Sequence, residues 1–153
     1  MSTDAISSTP PRNPPKFLNN VMKFVLASPL HSIFSKSLLL LTFTGRKSGK
    51  SFTIPLGYRQ DGNTIFLFTD HKWWKNLVGN APVTLHLKGK QVSGTAEVIE
   101  DKEVTEKELQ TFLLVNPNAA RAYSVTMDAA GQPDPNQLRD AARRFMHIRI
   151  HLA

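Results

Sequence analysis

Cysteine is absent from the 153 residues, which excludes disulfides, thiolate nucleophiles and cysteine-held metals. No apolar run reaches the roughly 18 residues that a membrane-spanning helix needs. The N-terminus is rich in Ser, Thr and Pro and lacks the charged-then-apolar order of a signal peptide. These absences set the expectation of a cytoplasmic protein. Carboxylates do not cluster with histidines as metal ligands would, so no metal is expected. No Ser-His-Asp order or glycosidase-like pair of carboxylates stands out. The chain also lacks the GxxxxGK[ST] loop followed by a helix, the dinucleotide fingerprint and any internal repeat. Aromatics are not interleaved along a strand face, which argues against a nucleic-acid platform. Acids are scarce where cations are dense. From Gly45 to Lys90 there are eight Lys or Arg against two acids, Asp61 and Asp70, whereas six of the twelve acids fall between Glu97 and Glu108.

A chain of this length is one domain with a sizeable core. Its net charge of +7 points to anionic partners, and the segregation of charge favours one local anion site. Residues 1–15, with four prolines, read as a disordered tail, leaving 16–153 as the domain. Phe17, Leu18, Val21, Met22 and Val25 recur at helical spacing, predicting an amphipathic helix over roughly 16–27. With Lys16, Lys23 and Lys36 alongside, residues 16–36 either pack on the core or touch an anionic membrane. Strands are predicted near 38–43, 52–59, 64–69, 82–87 and 91–99, with hairpin turns at Gln60–Asn63 and Lys88–Lys90. A short helix is expected at Lys72–Leu77. Past Asp101, Thr105 and Glu108 match a capping box, with Leu109, Phe112 and Leu113 as the buried stripe. Helices near 118–126 and 136–144 precede a closing strand, Phe145–Leu152, whose face bearing His147, Arg149 and His151 reads as solvent-exposed. The sum is an α+β domain built on a small antiparallel β-barrel.

The densest chemical signal is Gly45-Arg46-Lys47-Ser48-Gly49-Lys50, lying between two β-prone runs. Glycine lets backbone N–H groups approach an anion, and Arg and Lys add charge and donors. The turn reads as a grip for a phosphorylated ligand or as a solvated basic loop. Trp73 and Trp74 sit between Lys72 and Lys75, a pattern that suits a planar anionic ligand or simple core packing. Asn76 is a cap, a ligand contact or a turn closer. Tyr58 and Tyr123 are each a proton donor, a ligand contact or a half-buried structural tyrosine. His71, beside Asp70 at the mouth of the supposed cleft, is the foremost functional candidate among the five histidines. A cationic end and an aromatic wall without a nucleophile or metal point to a borrowed cofactor.

The blocks Leu38–Gly49, Pro55–Tyr58, Asp61-Gly62, Trp73–Leu77 and Asn80–Val83 together resemble the deazaflavin-dependent nitroreductase family, reductases of split β-barrel fold that use coenzyme F-420. The resemblance runs over roughly residues 17–99 and implies an antiparallel split β-barrel with an N-terminal helix and C-terminal helices. It also implies that Arg46, Lys47 and Ser48 meet the coenzyme's phosphate and acidic tail. Thr53 and Pro55 would lie along the cofactor strand with Tyr58 at its end, Thr69, Asp70 and His71 would border the ring site, and Trp73, Trp74 and Asn76 would frame it. The reduced deazaflavin would pass a hydride to a quinone, nitro compound or activated enone, with Tyr123 or solvent supplying the proton. The chain departs from the family's pattern at Phe52, where many members carry arginine, at Gly57, and at Asp70-His71. Alternatives are FMN, FAD or haem in the same barrel, or a non-enzymatic membrane-associated binder of lipid or another anionic ligand. Either a monomer or a homodimer fits.

Overall fold

The computed structural model describes residues 38–153; the expected tail, the helix over 16–27 and the membrane segment 16–36 lie outside them. Strand β1 (Leu38–Thr44) alternates so that Leu39, Leu41 and Phe43 enter the main core while Leu40 is buried on its other face. It pairs antiparallel with β2 (Ser51–Gly57), from Leu38 opposite Gly57 to Thr44 opposite Ser51. β3 (Arg59–Asp61) and β4 (Thr64–Thr69) form the second hairpin. A 3-10 helix, Lys72–Leu77, follows. β5 (Pro82–Leu87) and β6 (Lys90–Ile99) are joined at Lys88-Gly89, both with positive φ (51° and 80°), as the twist-matched two-residue hairpin turn requires. β7 (Met146–Leu152) closes the chain.

The sheet order is β2-β1-β5-β6-β7-β4-β3, antiparallel throughout. Its two edge strands, β2 and β3, are neighbours in sequence, separated by Tyr58 alone. One residue spans less than about 4 Å, so a seven-stranded sheet can satisfy this link only by curling until its edges meet. The result is the expected split barrel. Leu39, Leu41, Tyr58, Ile65, Leu67, Leu85, Ile148 and Ile150 fill its interior.

Helices cover the outer face of β4 and β7. α1 (Lys102–Val115) buries Leu109, Phe112 and Leu113, as the spacing predicts. The expected capping box is corrected. Asp101 is the N-cap, its carboxylate accepting from the N–H groups of Glu103 (2.9 Å) and Val104 (3.2 Å). Thr105 is buried inside the helix and donates its hydroxyl to the Asp101 carbonyl at 2.9 Å, while Glu108 turns outward to Arg59 at 2.7 Å. An Asp four residues earlier caps just as well, so the Thr-x-x-Glu pattern carries no boundary here. A second 3-10 helix, Pro117–Tyr123, ends where Ser124 takes a left-handed conformation, three residues short of expectation. α2 (Pro135–Arg144) is capped by Asp134 and buries Leu138 and Ala141 against Phe68, Phe112 and Phe145.

That second core layer overturns the exposed reading of the closing strand. His147 is wholly buried, stacked between Phe66 (5.9 Å between ring centres) and Phe68 (4.8 Å). His151 is exposed and meets Glu97 at 2.8 Å. Period-two alternation places the two histidines on one face, but α1 and its neighbours cover only the half of that face that holds His147.

Candidate functional site

The turn Gly45–Lys50 is folded back on itself. The Gly45 N–H donates to the Lys50 carbonyl (2.7 Å), the Gly49 N–H to the Gly45 carbonyl (2.9 Å), and the Lys50 N–H to the Ser48 hydroxyl (3.2 Å). Gly49 supplies the left-handed residue, with φ of 70°. Thirty residues onward, Asn76 bridges this turn to the 3-10 helix. Its Oδ1 accepts from the Arg46 N–H at 3.0 Å and its Nδ2 donates to the Trp73 carbonyl at 2.9 Å. The two motifs thus share one wall of a cleft of about 270 Å³ lined by Gly45, Arg46, Lys47, Ser48, Phe52, Lys72, Lys75 and Asn76.

Among the described residues, four of the eight that line the cleft are cationic and none is acidic. Among the described residues, no ion pair links these four to a carboxylate. Their charges add in a concave site, where low-dielectric walls strengthen the field. The donor set therefore fits a phosphate or a run of carboxylates.

Of the residues expected from the sequence, Arg46, Lys47, Ser48 and Asn76 come together in the cleft. Trp73 and Trp74 stand behind it, half-buried and packed on the barrel core. Trp73 stacks on Phe43 at 5.5 Å, and Lys75 Nζ lies 6.0 Å from the Trp74 ring centre. Among the described residues, the aromatic side chain lining the cleft is Phe52, which stacks on Phe43 at 5.7 Å. Phe52, Lys72 and Lys75 were not among the sequence-derived site residues. The lysines carried a signal, since they flank the indoles, whereas Phe52 stands out in the sequence only as a departure from the family's pattern and not as a site residue.

The other expected residues lie elsewhere. Ile54 and Leu56 pack on the barrel core, so strand alternation turns Thr53 and Pro55 to the opposite face of β2. There the Thr53 hydroxyl is 2.7 Å from that of Thr42. Tyr58 is buried in the barrel, and burial pushes its phenol above the usual range. Thr69 is buried, its Oγ1 accepting from the His71 N–H at 3.1 Å. Asp70 and His71 are exposed and 3.5 Å apart at the end of β4, immediately before Lys72. Tyr123 is packed against Phe145 (4.6 Å), Phe112 (5.9 Å) and Phe68 (6.1 Å) in the helical layer and does not line the cleft. Burial, with the nearby charge of Asp70, pushes its phenol well above the usual tyrosine range.

The sequence model of the F420H(2)-dependent quinone reductase family matches residues 25–129. Comparison with curated proteins gives no match. Among solved structures, an F420-H2 dependent reductase (FDR-A) is similar at 18% identity and a TM-score of 0.50, with 76% of this chain and 95% of that chain covered. An FAD-binding protein from Mesorhizobium loti is similar at 15% identity and a TM-score of 0.51, with 88% of each chain covered. At such identities the likeness concerns the fold.

Proposed function

The chain belongs to the F420H(2)-dependent quinone reductase family, and we propose from that premise that its cationic cleft holds the charged tail of the deazaflavin coenzyme F-420 while a small organic acceptor is reduced beside it. A quinone is the acceptor class that the family name favours; nitro compounds and activated enones share the same need for a hydride and a proton. When bound, the reduced deazaflavin supplies the hydride.

The chain's own residues bind and orient. Arg46, Lys47, Lys72 and Lys75 neutralise the anionic tail, and the Ser48 hydroxyl adds a donor. Asn76 ties the turn to the helix through the Arg46 N–H. Thr69 ties the His71 backbone, which sets the path of the chain into the lysine-bearing helix. The phenol of Tyr123 is a weaker acid than an exposed tyrosine, because its anion would be buried among three phenylalanines. That burial favours solvent over Tyr123 as the proton source.

The observation that supports this reading most is the 3.0 Å hydrogen bond from the Arg46 N–H to Asn76, which joins both family-like motifs at one anion-binding cleft. The test is a fluorescence titration with coenzyme F-420 and, in parallel, FMN. Each charge-assisted contact contributes roughly 1.5–3 kcal/mol, so Arg46→Ala with Lys47→Ala should weaken coenzyme binding by about a hundredfold or more. Unchanged affinity in the double variant, or tighter binding of FMN than of the deazaflavin, removes the proposal.

A further inference from the structure

Phe52 is a large apolar side chain left 44% exposed and lining the cationic cleft. Its position is built rather than loose. Phe43 stacks on the ring at 5.7 Å with the planes 27° apart, and Trp73 in turn stacks on Phe43 at 5.5 Å and 25°. The ring edge is seated against Gly45, where a Cβ would come within 2.7 Å of Phe52 Cε2 and 2.9 Å of Ser48 Oγ. A side chain at position 45 would push the ring away, so the glycine of the turn preserves the aromatic surface as well as the bend. Arg59, Lys75, Arg144 and Arg149 lie near other rings, and among the described residues no cation stacks on Phe52, despite the four that line its cleft. Among the described residues, no second ring stacks on it besides Phe43.

We infer that Phe52 is a specificity-determining residue, a rigid stacking platform that selects ligands carrying a planar conjugated ring together with the anion that the surrounding cations hold. The inference rests on the anion-binding reading of the cleft and adds to it. Cations alone accept any phosphate or carboxylate of suitable size. An aromatic face whose partner position is preset discriminates for ring-bearing anions, because stacking strengthens only with a flat ligand and costs no rearrangement of the protein.

The test uses the full chain and four probes: inorganic phosphate (charge only), riboflavin (ring only), FMN and coenzyme F-420 (both). Binding is read from the fluorescence of the ligands and from the tryptophans, since Trp73 lies two rings from the platform. Phe52→Leu should weaken the ring-bearing anions by about tenfold, leave phosphate unchanged and leave the melting temperature near that of the parent, as expected for a half-exposed site. Phe52→Tyr, which keeps the ring, should retain the parent affinities. Equal effects of Phe52→Leu on phosphate and on the ring-bearing anions, or no effect on either, overturn the inference and leave the anion cleft standing. Failure of the parent chain to bind any anion overturns both this inference and the reading beneath it.

Discussion

His147 shows what one buried residue does to the stability of this molecule. Its Nδ1–H donates to the Leu67 carbonyl at 3.1 Å, and Arg149 Nε donates to Nε2 at 3.4 Å, an arrangement that suits the neutral ring. Burial pushes its pKa down to about 4; the Leu67 carbonyl pulls upward, and the charge of Arg149 pushes down further. In the unfolded chain the ring titrates near 6.5. Between these values unfolding takes up a proton, so the contribution is complete above pH 6.5 and is lost as pH falls toward 4. The window corresponds to about 3 kcal/mol at 1.36 kcal/mol per pKa unit. Denaturant midpoints measured from pH 7 to 4 should show this fall. His147→Phe should lose most of the slope while being less stable at pH 7, because the Leu67 carbonyl loses its donor. A variant with the parent slope would mean that other groups set the acid response. The sequence hid this residue, since polarity and strand alternation both argued for exposure.

At the scale of elements, the cleft depends on a contact between two pieces that are each weak alone. A six-residue turn and a six-residue 3-10 helix have little intrinsic stability, and Asn76 connects them through one accepted and one donated hydrogen bond. Asn76→Ala should lower stability by about 1 kcal/mol and weaken coenzyme binding several-fold without touching the charges. Calorimetry paired with a ligand titration separates the two effects, and a variant with parent-like affinity would show that the turn holds its shape unaided. Several elements were legible because their signals are local. The hairpin at Gly62, the helical stripe Leu109, Phe112 and Leu113, and the closing strand all follow from spacing and turn chemistry. The helix start was misplaced because the Thr105–Glu108 pattern resembles a capping box, whereas Asp101 caps the helix.

For the whole molecule, the single-residue link at Tyr58 makes the fold a curled sheet, and charge segregation gives that curl a polarity. The cationic turn and the lysine-bearing 3-10 helix meet at the cleft, while six acids follow in 97–108, on β6, α1 and the two residues between them. Coenzyme binding should therefore weaken steadily with added salt, since screening shortens from roughly 10 Å at 0.1 M to about 3 Å at 1 M. The salt dependence should be shallower in the Arg46→Ala, Lys47→Ala variant, and equal slopes would place the anion elsewhere. The residues alone pointed to a small antiparallel barrel in an α+β domain, and the resemblance carried by the motif blocks implied the split barrel that the structure shows. Strand periodicity, turn residues and charge spacing are properties of short stretches, so the chain determined them by itself. Which side chains share a wall depends on how far the sheet curls and which face the helices cover. Only the tertiary structure decided that Phe52 rather than the two indoles lines the cleft, that Thr53 and Pro55 turn away from it, and that Tyr123 and His147 are enclosed.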